Sequence, residues 1–173
     1  MKINSKVEEV LNKQINAEFW SAHLYLSMSA YFETRALRGF ANWMKVQYQE
    51  ELTHAIKIFD FINSRGGVVK LEAIPEVPVT WNSILLVFEE TYYQECKVTE
   101  KINHCYEVAL SEKDHAAANM LQWFIDEQAE EEESALQIVD QLKLIGEDNG
   151  QAIYLLDKEL GARVFVDSTK TSA

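Results

Sequence analysis

Turn-forming residues are scarce in this chain of 173 residues, which contains only six glycines and two prolines. An all-β sandwich or barrel needs many more residues of this kind, so their scarcity favours a mostly helical protein. Hydrophobic residues make up 47% and charged residues 25% of the chain, values that exclude an intrinsically disordered or fibrous protein. The length suits a single domain, residues 1–173, with a sizeable core.

Positive charge is also scarce, since 16 Lys and Arg residues face 28 Asp and Glu residues and leave a formal net charge of −12. Nucleic-acid surfaces and anchors on anionic membranes need clustered positive charge, so we expect no nucleic-acid and no membrane partner. No apolar run reaches the ~20 residues that span a bilayer. The acidic excess is compatible with a protein that binds cations.

The two cysteines, Cys96 and Cys105, lie nine residues apart within one helical pattern. A rise of ~1.5 Å per residue places them ~13 Å apart along the helix, beyond the reach of a disulfide. The first ten residues, MKINSKVEEV, contain no apolar stretch typical of a signal peptide. Free thiols without an export signal predict a cytoplasmic protein.

Four long segments repeat apolar residues every three or four positions, which is the helical period. They cover about residues 5–35, 39–64, 83–110 and 114–145, and a short fifth helix is predicted at about 151–160. The polar residues 167–173 predict a disordered tail.

The connection between the second and third helices, about residues 66–81, is too long for a turn between adjacent antiparallel helices. Extended at ~3.3 Å per residue it covers ~50 Å, enough to return along a helix ~38 Å long. It contains Pro75 and Pro78 together with apolar residues that suggest packing. We therefore predict an all-α four-helix bundle over about 5–145, with a long crossover between helices two and three and a short fifth C-terminal helix.

Polar residues interrupt the inward-facing apolar stripe of each long helix. They are Glu18 on the first helix, Glu51 and His54 on the second, Glu95 on the third, and Gln128 and Glu131 on the fourth. If helices two and three run parallel, all of these residues lie ~18–28 Å from one end of the bundle. No Lys or Arg shares the stripes, which argues against a buried ion-pair network. Buried carboxylates without basic partners need a metal ion, and this oxygen-rich set suits iron or manganese.

Glu51 and His54 form an E-x-x-H pair, whose two side chains share one helix face and can hold one metal ion. With two metal ions, either Glu51 or Glu95 could bridge them. A second E-x-x-H pair, Glu112 and His115, lies in a hydrophilic stretch at a helix junction, and we interpret it as a solvated turn.

Taken together, these residues resemble those of prokaryotic non-haem ferritins over nearly the whole chain. The matching elements are Glu18 followed by Tyr25, the block EELTH at 50–54, Glu95, and LQWF at 121–124 leading into EQAEE at 127–131. The fourth helix offers Gln128-x-x-Glu131 where bacterioferritins and related oxygenases have a second E-x-x-H. Leu52 stands where a bacterioferritin has its haem-binding methionine, so we predict no haem.

The resemblance implies two iron positions in each subunit. The first would be held by Glu18, Glu51 and His54. The second would be held by Glu51, Glu95 and Glu131, with Gln128 as a hydrogen-bonding neighbour. A third, weaker iron position is implied at Glu50, Glu127, Glu130 and Glu131.

The resemblance also implies roles for residues that need not bind metal. Tyr25 lies two turns after Glu18, where it is either an electron or hydrogen-bond donor to the site or an ordinary core tyrosine. Gln14 and Gln47 are expected to make polar contacts within the bundle. The residues expected to act in catalysis are Glu18, Glu51, His54, Glu95 and Tyr25.

The function that the resemblance implies is iron storage and detoxification by a ferroxidase. Fe(II) would be oxidised to Fe(III) by O2 inside each subunit, and ferric mineral would be deposited in a hollow homo-oligomeric shell of 24 subunits. Eukaryotic ferritins line their three-fold pores with acids, whereas this chain is expected to place Ala118 and Leu121 there. The alternative is a di-metal peroxidase or oxygenase without mineral storage. A metal-free interaction bundle of cytokine type leaves the central carboxylates unexplained.

Overall fold

A computed structural model of the chain describes residues 2–146 and 148–170. Its helices are α1 (Ser5–Glu33), α2 (Arg38–Ser64), α3 (Ile84–Ser111), α4 (His115–Ile145) and α5 (Gly150–Leu160). No strand occurs in this part of the chain, so the predicted all-α class is confirmed. None of the described helices has the length and apolar character needed to cross a bilayer.

Polar side chains fix where the helices begin. Asn4 accepts a hydrogen bond from the Lys6 amide at the start of α1, and Ser83 accepts one from the Leu86 amide at the start of α3. Such caps satisfy backbone N–H groups that lack partners within the helix. Just after the C-terminal end of α2, Gly66 adopts a φ of 65°, a left-handed conformation that glycine reaches without strain.

The crossover between α2 and α3 lies along α1, as predicted, but hydrogen bonds hold it there, while most of its apolar residues stay exposed, Val79 at 69% among them. The Asn12 side chain donates to Val68 O at 3.0 Å and accepts from the Lys70 amide at 2.6 Å. Near the other end of α1, the Tyr31 hydroxyl donates to Trp81 O at 2.9 Å. The connection therefore returns to the end of the bundle where α1 ends and α2 begins, and α2 and α3 run parallel.

Two apolar clusters fill the bundle, one on each side of a central polar layer. One contains Phe32, Phe40 and Phe88, and the other contains Leu121 and Ala118 on α4. Leu121 is fully buried and Ala118 is 7% exposed. The expectation that these two residues line a pore between subunits is therefore wrong, because both pack inside their own subunit.

The fifth helix docks on the start of α2. Asp157 Oδ1 accepts hydrogen bonds from the amides of Gly39 and Phe40 at 2.8 and 3.0 Å, so α5 caps α2 from outside. The contact needs glycine, because a Cβ at residue 39 would lie 1.5 Å from Asp157 O.

The chain beyond α5 differs from the predicted disordered tail. Ser168–Lys170 forms a 3-10 turn, and the Ser168 hydroxyl donates to Glu127 Oε1 at 2.9 Å. This hydrogen bond depends on the path of the tail across α4, which polar composition does not reveal. Residues 171–173, the rest of the predicted tail, lie outside the described residues.

Candidate metal centre

The polar layer predicted from the stripes lies at the centre of the bundle. Each of the four long helices contributes to it, and its six members are all buried: Glu18, Glu51, His54, Glu95, Gln128 and Glu131. The second E-x-x-H pair lies far from the layer, since Glu112 is bonded to Lys6 and His115 is exposed at the start of α4. Its interpretation as a solvated turn agrees with this placement.

Glu18, Glu51 and His54 form an inner cluster, in which one ligand atom of each residue lies within 4.8 Å of the other two. His54 Nδ1 is 3.9 Å from Glu51 Oε2. Among the described residues, no hydrogen-bond partner meets Glu18 Oε2, either oxygen of Glu51 or either nitrogen of His54. Buried polar atoms without partners are rare because they destabilise the fold. Their convergence suits a cation, and the donor set fits the one predicted for the first iron.

His54, Glu127 and Glu131 form an outer cluster on the same 4.8 Å criterion. His54 Nε2 lies 3.9 Å from Glu127 Oε1, so the imidazole stands between the two clusters. Gln47 Nε2 donates to Glu131 Oε2 at 2.8 Å, just as Gln14 Nε2 donates to Glu18 Oε1 at 2.8 Å. Both glutamines thus orient carboxylates, in agreement with the polar contacts expected of them.

Glu95 is buried in the layer but belongs to neither cluster. Tyr25 donates its hydroxyl proton to Glu95 Oε1, and Gln128 Nε2 donates to Glu95 Oε2 at 3.2 Å. The structure therefore does not assemble the predicted second set, Glu51, Glu95 and Glu131, as one mutually close group among the described residues. Hydrogen bonds to two neighbours hold the Glu95 carboxylate instead.

The residues predicted for a third iron position separate into three environments. Glu127 and Glu131 join the outer cluster with His54. Glu50 is held by Arg163, whose guanidinium nitrogen lies 2.7 Å from its Oε2. Glu130 is exposed and lies in neither cluster of the described residues. Its place in the third iron position stays a prediction, while Glu131, one residue further on, is buried.

Burial and mutual repulsion set the charges in the layer. Burial, followed by the nearby Glu131 carboxylate, raises the pKa of Glu95 to about 8. Burial and the neighbouring Glu95 and Glu18 raise the pKa of Glu51 well above its usual range. Burial alone lowers the pKa of His54, but interaction with Glu127 and other carboxylates outweighs it and raises that pKa to about 9. Protons thus occupy sites that a metal ion would take, and metal binding should release them.

Two residues that lie next to the site were not predicted from the sequence as part of its surroundings. The ring of Trp123 stands edge-on to His54 with centroids 5.6 Å apart, and its place in LQWF could have suggested this. Arg163 belongs to the irregular chain after α5, and no periodic signal marks it.

Comparison with known proteins identifies the class that this fold and site define. Residues 8–145 match the ferritin-like domain, and the chain belongs to the ferritin family. It is 43% identical to a bacterial non-heme ferritin of Bacteroides fragilis over 161 residues, which cover 93% of this chain and 99% of the relative. A bacterial non-heme ferritin of Staphylococcus aureus is 39% identical over 163 residues, 94% of this chain and 98% of the relative. The resemblance noted from the motifs is confirmed.

Solved structures agree with the fold. An engineered closed form of the Archaeoglobus fulgidus ferritin is 55% identical, with a TM-score of 0.93 over 95% of this chain and 100% of that chain. An open-pore ferritin from the same archaeon is 54% identical, with a TM-score of 0.92 over 95% of this chain and 100% of that chain. The ferritin-like bundle with a long crossover and a short C-terminal helix is therefore confirmed.

Proposed function

We propose that this ferritin is a ferroxidase that stores iron, oxidising Fe(II) with O2 in the bundle and passing Fe(III) to a mineral. The observation that carries the proposal is the convergence of unpartnered buried atoms of Glu18, Glu51 and His54 in one cluster. These are carboxylate and imidazole donors, which suit iron. Two Fe(II) ions bound in the layer would each give one electron to O2, which takes up two protons and leaves as hydrogen peroxide, and anionic oxygen ligands favour the Fe(III) product.

The surrounding residues have distinct parts in this proposal. Glu18, Glu51 and His54 would bind the first Fe(II), with Gln14 orienting Glu18. The second Fe(II) would take Glu51, Glu131 and one oxygen of Glu95. The donor on the other Glu95 oxygen, Tyr25 on Oε1 or Gln128 on Oε2, would hold that carboxylate in position. Protons displaced from the carboxylates and from His54 leave as the metal ions enter.

Storage requires an enclosed space, which one subunit does not provide. We propose a homo-oligomeric shell of 24 subunits with α5 near its four-fold axes. In support, Ile153 and Leu156 of α5 are buried within the subunit while Tyr154 and Leu155 on its other side are 57% and 60% exposed. An apolar face of this kind suits contacts between copies in a closed symmetric assembly.

Stepwise aerobic loading with Fe(II), followed by absorbance and by sedimentation of the particles, tests the proposal. For storage, we expect uptake to continue to roughly hundreds of iron atoms per particle. That number is far greater than the number of iron atoms that the bundle sites can bind. Saturation near two iron atoms per chain would favour a di-metal peroxidase or oxygenase instead. Glu133→Gln is the control variant, because it changes an exposed acid of α4 outside both clusters and outside the predicted third position, so its iron uptake should equal that of the parent.

A further inference from the structure

The chain after α5 crosses the flank of the bundle next to the outer cluster. We call residues 161–170 the C-terminal strap. Asn42 Nδ2 on α2 donates to Arg163 O at 2.9 Å, and the Arg163 guanidinium lies 4.5 Å from the ring centroid of Trp43. Further along, the Ser168 hydroxyl donates to Glu127 Oε1 at 2.9 Å. The strap is therefore fastened to α2 at one end and to α4 at the other.

A polar side chain at each end of the strap binds a carboxylate that a cation would use as a ligand. Arg163 lies 2.7 Å from Glu50 Oε2, and the two side chains are 24% and 15% exposed. Glu50 lies one helical turn before His54 on the same face of α2, so it stands beside the outer cluster. Ser168 holds Glu127 Oε1, which is the oxygen that lies 3.9 Å from His54 Nε2.

We propose that Arg163 is a built-in counter-cation of the outer cluster, and that a metal ion bound there releases the C-terminal strap. The inference rests on the proposed function, because it concerns metal ions at the same acidic site. A guanidinium on Glu50 and a divalent ion on Glu127 and Glu131 are like charges in a partly buried space, where screening by water is weak. The ion also competes with the Ser168 hydroxyl for electron density on the Glu127 carboxylate. Strap docking and metal binding therefore weaken one another.

This competition makes binding at the outer cluster weaker than its donor set alone would allow. The form with the strap released binds the ion more tightly, so the apparent affinity falls as the population of that form falls. The inner cluster does not share this restriction, since Glu18 and Glu51 are fully buried and lie among α1 and α2 side chains. The result is an order of filling, with the inner cluster first and the outer cluster last and most readily emptied.

Calorimetric titration of the metal-free protein with Zn(II), a redox-inert probe, tests the inference. Arg163→Gln replaces the guanidinium by a neutral amide, which can still donate a hydrogen bond but carries no charge. The outer cluster should then bind Zn(II) about tenfold more tightly, while the affinity of the inner cluster is unchanged. Ser168→Ala removes one neutral hydrogen bond from Glu127 and should tighten the same phase about threefold. Arg65→Gln is the control, because it breaks another part-buried pair, with Asp114 at 3.3 Å, away from both clusters.

Hydrogen exchange of the strap amides gives a second readout that does not depend on affinity. In the parent protein, Zn(II) at saturation should speed exchange over residues 163–170, and Arg163→Gln should exchange fast even without metal. The inference would be overturned if the Kd for Zn(II) at the outer cluster were unchanged in both variants, or if Zn(II) slowed hydrogen exchange of the strap amides. In either case, normal Zn(II) binding at the inner cluster would leave the proposed function standing. Loss of all Zn(II) binding in the parent protein would overturn both.

Discussion

Replacing Glu51 by Gln separates the stability of the metal-free bundle from its capacity to bind a cation. Glu51 is fully buried, and neither of its oxygens has a hydrogen-bond partner among the described residues. Glutamine has nearly the same shape without the charge. Its amide nitrogen can donate to Glu18 Oε2, a neighbouring acceptor that also lacks a donor.

The expected gain follows from the environment of residue 51. A buried polar atom without a partner costs about 1–3 kcal/mol, and a hydrogen bond to a charged acceptor contributes about 1.5–3 kcal/mol. Since one such bond would form while other polar atoms stay unsatisfied, we expect the metal-free variant to gain about 1–3 kcal/mol. For a chain of this size each kcal/mol raises the melting temperature by about 2–4 °C. The pKa of Glu51 is raised by burial, so the folded parent keeps a proton there above the pH at which the unfolded chain releases it, and the gain of the variant should grow with pH across that range.

Zn(II) should reverse the order of the two proteins. An ion that binds only the folded state adds about 4.1 kcal/mol at a thousandfold excess over its Kd, which exceeds the gain expected for the variant. The parent should show this gain and Glu51→Gln should lose most of it, since the variant lacks one anionic ligand of the inner cluster. Scanning calorimetry at one protein concentration, with and without Zn(II), measures both effects.

Two results would refute the reasoning about Glu51. One is a metal-free variant less stable than the parent, which would mean that this carboxylate is well satisfied in the fold. The other is an undiminished gain from Zn(II), which would place the cation elsewhere. Glu130→Gln makes the same chemical change at an exposed position of α4 and should alter stability by no more than about 0.5 kcal/mol.

Three further predictions concern neighbouring groups. His54→Ala removes the ligand shared by both clusters, so the initial rate of Fe(II) oxidation, measured by stopped-flow absorbance, should fall by about 100-fold. The circular dichroism spectrum should remain that of a helical protein. An unchanged rate would show that His54 is not a ligand. Tyr25→Phe leaves a Glu95 oxygen without its donor and should lower the metal-free unfolding free energy by about 1–3 kcal/mol, and equal stability by calorimetry would contradict this. The pKa values of Glu95, Glu50 and His54 are raised to about 8, 7 and 9, so the folded state holds protons that the unfolded chain releases. The melting temperature of the metal-free protein should therefore fall as the pH rises from about 5 to about 8.5. A melting temperature that rises over this range would show that these groups are not buried together.

The fold was predictable because its main signals are local and periodic. The apolar stripes located four long helices, and the length of the connection predicted the crossover. Boundaries shifted by one or two residues: the first helix was predicted to residue 35 and ends at Glu33, because the chain turns and Ala36 adopts a φ of 58°. The asparagines that fasten the crossover to α1 were not predicted, since polar residues on an outer helix face look the same whether or not another segment covers them.

The site was predictable only as far as helical spacing determines direction. Spacing placed Glu18, Glu51, His54 and Glu95 in one layer, but it could not show that the Glu95 carboxylate is held by Tyr25 and Gln128. Nor could it decide which of the consecutive acids 130–133 points inward. That choice depends on the rotation of α4 against its neighbours, which is a property of the packed bundle.

The distribution of unpartnered atoms distinguishes a cation site from a loosely packed core. Other buried polar residues have partners: Thr91 donates to Val87 O at 2.9 Å, and Gln94 donates to Ser21 at 3.0 Å. Every buried side-chain nitrogen or oxygen without a hydrogen bond, among the described residues, belongs to Glu18, Gln47, Glu51, His54 or Arg163. Loose packing would scatter such atoms along the bundle. Their confinement to the layer and its strap is the pattern expected of a ligand site, while the apolar clusters on either side stabilise the fold that presents these atoms.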